Sequence, residues 1–139
     1  MNVTTAMERR VAIDCDRDIV EARQQGRAIV LKLGFSPGAA TLVATAISEL
    51  ARNILLYAGR GEVVLRAVEN GTDQGMVVLA RDQGPGIPDV GQALEDGYST
   101  SGRLGLGLPG VRRLMDELEI TSEVGGGTVV RAVKWRDGA

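Results

Sequence analysis

The sequence predicts an α+β fold, a two-layer α/β sandwich with a mostly antiparallel sheet and its helices on one face. Three observations carry that prediction. Residues 62–80 and 119–135 each hold two β-rich runs joined by a short glycine-containing turn, the mark of an antiparallel hairpin. Two stretches that end near residues 33 and 58 repeat apolar residues at helical spacing. The resulting order, β-α-α-β-β-loop-α-β-β, lets the helices cover one side of a single sheet.

The first element is residues 7–14 (MERRVAID), a strand candidate, although Arg9 and Arg10 break its alternation. Asp16 or Asp18 is placed to cap a helix through Ile19, Ala22, Ile29, Val30 and Leu33, which Gly34 would end; Gly26 in its middle argues against a regular helix. Ser36-Pro37 supplies an N-cap and a first-turn proline for a second helix. Leu42, Ala46, Leu50 and Ile54 form its apolar stripe, and it ends near Tyr57-Ala58-Gly59. Residues 62–69 and 76–80 make the first hairpin, residues 111–118 a third helix, and residues 119–124 and 128–135 the second hairpin. With 139 residues and no linker, repeat or low-complexity segment, the chain reads as one domain.

Composition excludes several functions. Acidic and basic side chains nearly balance, 18 against 16, and aromatics are scarce, so neither a nucleic acid nor an anionic membrane is an expected partner. Cys15 is the single cysteine, which rules out an intrachain disulfide and reads as a small, half-buried residue. The absence of histidine removes a histidine base, a histidine zinc ligand and a phospho-accepting histidine. Any metal must then have oxygen ligands, which favours magnesium. There is no signal-peptide pattern and no apolar run judged long enough to span a bilayer, so a soluble, cytoplasmic protein is expected.

The most informative stretch is RDQGPGIPDVGQALEDGYSTSGRLGLGLPG, beginning at Arg81, with Gly84-Pro85-Gly86 and the Gly102–Gly107 cluster at its two ends. Glycine-rich loops that open a helix offer backbone amides to phosphate oxygens. Upstream, Glu49 and Asn53 stand four residues apart and project from one helical face, where a carboxylate and a carboxamide can hold magnesium or orient a hydroxyl. Each feature has a plain alternative. The helical pair suits a solvated face, Asp82 suits a turn, Gly105-x-Gly107 suits a tight connection, and Thr128 suits the start of a strand.

Together, Glu49-x-x-x-Asn53, Asp82-x-Gly84-x-Gly86, Gly105-x-Gly107 and Gly127-Thr128 resemble the GHKL ATPase superfamily, which binds ATP in the Bergerat fold. The resemblance runs from about residue 10 to residue 135 and is strongest to the small serine/threonine switch kinases of the RsbT type, related to anti-sigma factor kinases such as SpoIIAB. ISELARNILLYAG, RDQGPGIPD, DGYSTSGRLGLGLPGVRRLMDE and GGGTVVRAVKW carry it. It implies ATP and magnesium as cofactors, with Asn53 as metal ligand and Glu49 as the catalytic group that activates the attacking hydroxyl or helps set up the metal site. It implies Asp82 on the adenine amine, Gly86 letting the base approach the backbone, a direct or water-mediated contact from Thr128 near the adenine, and Gly84 and Ile87 among the nucleotide-binding residues. Gly105, Leu106 and Gly107 would offer amides to the phosphates, under a lid from about Tyr98 to Arg103. Arg103 is placed to reach the γ-phosphate, or equally to be an exposed loop arginine.

Ser99, Thr100 and Ser101 lie in that lid, so the acceptor hydroxyl is expected from a partner. The resemblance implies a STAS-domain antagonist as that partner, and a phosphatase, effector or sigma factor downstream once the kinase is released. The competing function is an anti-sigma factor that sequesters a sigma subunit under nucleotide control and phosphorylates its own antagonist. A split histidine-kinase catalytic domain is a further alternative, disfavoured because this chain carries no acceptor histidine.

Overall fold

The structure is a computed structural model that describes residues 4–86 and 107–136. Five strands, β1 (Thr4–Ile13), β2 (Gly61–Asn70), β3 (Asp73–Asp82), β4 (Glu117–Glu123) and β5 (Gly127–Trp135), form one sheet in the order β1-β2-β3-β5-β4. Every neighbouring pair is antiparallel. Three helices, α1 (Asp16–Lys32), α2 (Pro37–Ala58) and α3 (Gly107–Leu114), complete the described elements. The two-layer α+β arrangement expected from the sequence is the one observed.

α2 is the axis of the core. Ser36 caps it by accepting the Ala39 N–H at 3.1 Å, and Gly59 ends it at φ +83°. Val43, Ile47, Leu50 and Ile54 are buried from one turn to the next and meet Val63, Leu65, Met76 and Val78 of the sheet in a common cluster. Each such side chain contributes about 1.5–3 kcal/mol when fully removed from water. By length and composition α2 could cross a bilayer, contrary to the expectation from the sequence, but 56% of its most apolar window is buried inside this protein. Leu42, assigned to the buried stripe, is instead 38% exposed.

Other local expectations need correction. Neither Asp16 nor Asp18 is the N-cap of α1; Cys15 is, and it is exposed rather than half-buried. Asp18 works from the first turn, where its Oδ2 accepts the N–H groups of Asp14 at 2.8 Å and Cys15 at 3.2 Å. Gly26, the residue that argued against a regular helix, is buried where α1 crosses α2. The first hairpin is tighter and longer than expected, with only Gly71 and Thr72 between the strands.

The sheet's second face has its own cover. Val64, Val77, Leu79 and Val133 make a small apolar floor there. Strand alternation puts Arg10, Arg66, Arg81 and Arg131 on that side with Glu8, Glu62, Glu117 and Glu119. They pair across the strands, as in Arg66–Glu8 at 2.6 Å and Arg81–Glu62 at 3.5 Å. Arg66 and then Arg10 hold the Glu8 carboxyl below its usual range. Their aliphatic stems shield the valines while the charged ends stay in water.

Candidate functional site

The helix-facing side of the sheet ends in a polar row. Its penultimate row is apolar: Val63 pairs with Ala80, Ala80 with Val130, and Val130 with Ile120. Two residues further along, Gly61 pairs with Asp82, Asp82 with Thr128, and Thr128 with Ser122. Strand periodicity of two keeps both rows on one face. Asp82 and Thr128, 46 positions apart in sequence by their numbers, are therefore direct cross-strand neighbours.

Local bonds fix this row. Asp82 Oδ1 accepts the Gly84 N–H at 2.9 Å, which ties the carboxylate to the loop after β3. Thr128 is buried, and its Oγ1 lies 2.9 Å from Ser122 Oγ, which also donates to the Gly127 carbonyl at 3.2 Å. Glycine is required at two points. Gly86 has φ +82°, and a Cβ there would run into the Glu123 carbonyl oxygen. Gly127 has φ +88°, and a Cβ there would strike the Asp82 carbonyl oxygen. Between them, the Gly125 N–H donates to the Pro85 carbonyl at 2.8 Å, stitching the tip of the β4–β5 hairpin to the loop.

α2 supplies the second half. Glu49 and Asn53 lie one turn apart on it, both partly exposed and flanked by the buried Leu50 and Ile54. The Glu49 side chain is only 13% exposed, and its Oε1 accepts a 2.8 Å bond from Arg52 Nη1. α3 packs against α2 through the buried Val111, and its first residue, Gly107, has φ +61°. Ile87, Arg103, Gly105 and Leu106 fall outside the described residues, as does the segment expected to form a lid.

Chemically, this is a shelf of two hydroxyls and a carboxylate at one sheet end, with a carboxylate and a carboxamide on the neighbouring helix. Among the described residues no three acidic or cysteine side chains gather to cage a metal. The oxygen donors present, led by the Asn53 carboxamide, suit a cation that keeps water and phosphate oxygens as its other ligands, and that is magnesium's habit. Two residues of this arrangement are not among those singled out from sequence. Ser122 is revealed only by the β4–β5 register, whereas Arg52 is visible as the basic residue three positions after Glu49.

Residues 13–134 match the family model described as histidine kinase-like ATPase domain. The chain is 52% identical over 125 residues to the serine/threonine-protein kinase RsbT of Bacillus subtilis, covering 90% of this chain and 94% of that one. It is 33% identical over 99 residues to an anti-sigma F factor of Caldanaerobacter subterraneus, covering 67% of this chain and 68% of that protein. In fold it resembles the crystal structure of the RsbU and RsbW domains of a Mycobacterium tuberculosis protein, with a TM-score of 0.63 at 18% identity, over 94% of this chain and 33% of that one.

Proposed function

The chain belongs to the histidine kinase-like ATPases and, among them, to the RsbT serine/threonine-protein kinases; from that membership we propose that residues 1–139 are one kinase domain that moves the γ-phosphoryl group of Mg-ATP to a serine or threonine of a STAS-domain antagonist. Release from that antagonist frees the kinase to bind and activate a downstream effector, a partner switch carried out in the cytoplasm. The observation that supports this best is the Asp82–Thr128–Ser122 row at the sheet end where the last turns of α2, the helix that carries Glu49 and Asn53, come down, with Ile54 against Gly61 and Ala58 against Gly84.

In this reading Asp82 accepts a hydrogen bond from the adenine amine, and Thr128 and Ser122 line the base beside it. Gly86 lets the ring approach the backbone. Gly105, Leu106 and Gly107 donate amides to the phosphates, and Arg103 reaches the γ-phosphate. Asn53 holds the magnesium ion, which when bound neutralises charge on the phosphate oxygens. Glu49 takes the proton of the acceptor hydroxyl as its oxygen bonds to the γ-phosphorus; the bond from that phosphorus to the bridging oxygen breaks, and ADP leaves with the electron pair.

A second reading, a nucleotide-gated anti-sigma factor, draws on the anti-sigma F relatives, which are 30–33% identical where RsbT is 52%. Phosphoryl transfer and capture of the bound partner together separate the two. Labelled γ-phosphate from Mg-ATP is offered to STAS-domain proteins encoded beside this one, with Asn53→Ala as control. Label on a serine or threonine, absent with the variant, is expected of the kinase. Because the anti-sigma reading also includes phosphorylation of an antagonist, capture of the bound partner decides between them: a sigma subunit held in the presence of nucleotide would favour the anti-sigma reading, and full transfer by Asn53→Ala would remove the metal role of that residue.

A further inference from the structure

We infer that Arg52 is a positioning residue for phosphoryl transfer: by holding one oxygen of the Glu49 carboxylate, it fixes the other for the acceptor hydroxyl. The inference rests on the reading of Glu49 as the proton acceptor. Three observations carry it. The Glu49 side chain is 13% exposed, so little water is left to orient its carboxylate. Arg52 Nη1 sits 2.8 Å from Oε1, a charge-assisted bond of good length. The two residues are three apart on α2, so the helix itself sets their separation.

The placement around the helix completes the argument. At 100° per residue, Asn53 lies roughly 40° from Glu49 on one side and Arg52 roughly 60° on the other. Arg52 thus holds the carboxylate from the side away from the metal-binding carboxamide. A free glutamate has several rotamers; one clamped at Oε1 has far fewer, which leaves Oε2 in a defined place. The Arg52 side chain is itself 35% exposed, so the pair adds little to the stability of the fold. Its effect should appear in the rate instead, because a reacting group displaced by about 1 Å loses on the order of 100-fold.

The test uses the full chain and five proteins: wild type, Arg52→Ala, Glu49→Gln, the double variant and the conservative Arg52→Lys. With the labelled acceptor protein, Arg52→Ala should lower kcat by about 10–100-fold. KM for Mg-ATP and for the acceptor, and the thermal midpoint, should stay near wild type. Arg52→Lys should recover part of the rate, and the double variant should be no slower than Glu49→Gln alone. A wild-type kcat in Arg52→Ala, a loss confined to KM for the acceptor, or additive losses in the double variant would overturn the proposal. Full transfer by Glu49→Gln would remove the premise, and that single variant reports it separately. Independent of turnover, nitrogen-detected NMR of the nucleotide-free chain should show hindered rotation of the Arg52 guanidinium, released by Glu49→Gln. Free rotation in the wild type would also overturn the clamp.

Discussion

Asp82 shows how a residue can be read from sequence while its surroundings cannot. Its place before Gln83-Gly84-Pro85-Gly86 marks it at once, and Gly127-Thr128 marks Thr128, but that the two are neighbours, with the Ser122 hydroxyl next in the row, follows only from strand register, which no local pattern encodes. Asp82→Asn is a clean test, because the amide oxygen can still accept the Gly84 N–H that orders the loop. What is lost is a second anionic acceptor. Hydrogen bonds to charged groups contribute about 1.5–3 kcal/mol, so ATP and ADP affinity should fall by roughly 10–100-fold while the circular dichroism spectrum is unchanged. Unaltered ATP affinity by calorimetry would count against the adenine contact.

At the scale of elements, propensity and capping found the helices and strands, and tertiary pairing moved their ends. The third helix, expected at residues 111–118, occupies Gly107–Leu114 because pairing with β5 draws Glu117 and Leu118 into a strand. Asp116 accepts the Trp135 N–H at 2.8 Å, and Glu117 and Leu118 then alternate across β4 rather than continue a helical turn. α1 departs from its local reading for a different reason. A Cβ on Gly26 would run into Cδ1 of Ile47, so the glycine that suggests a helix breaker is the contact that lets α1 lie on α2. Gly26→Ala gains about 1 kcal/mol of helix propensity but overpacks the crossing by about 1–3 kcal/mol, for a net destabilisation of about 1 kcal/mol. Ile47→Val removes the offending methyl, so the double variant should be more stable than the sum of the two single changes in urea denaturation. If Gly26→Ala alone stabilises, the crossing is looser than described.

The start of α1 has its own pH signature. The Asp14 N–H, opposed by partial desolvation and aided by the Cys15 N–H, lowers the Asp18 pKa in the folded state. A depressed carboxylate contributes stability that is complete above its unfolded pKa and is lost as pH falls through the folded one. Asp18→Asn should therefore lower the thermal midpoint at neutral pH, and its deficit should shrink below about pH 4. A deficit constant from pH 7 to pH 3 would show that the charge of Asp18 contributes nothing.

At the scale of the whole molecule, the sheet joins the core and the candidate site through a single register. The apolar row Val63–Ala80–Val130–Ile120 closes the core, and the row beyond it offers Asp82, Thr128 and Ser122. The fold class was legible because hairpins and amphipathic helices are local patterns; the strand order, with β5 between β3 and β4, was not, because it depends on pairing across long separations. The same pairing has one more consequence. The Gly125 N–H, at the tip of the last hairpin, is bonded to the Pro85 carbonyl in the loop after β3. Its proton can exchange with solvent only when hairpin and loop part, so one amide in deuterated buffer gauges how firmly that end of the molecule is held shut. Adding Mg-ATP should slow that exchange while the amide of the remote Gly71 turn keeps its rate. If both are indifferent to nucleotide, the loop does not close on the base.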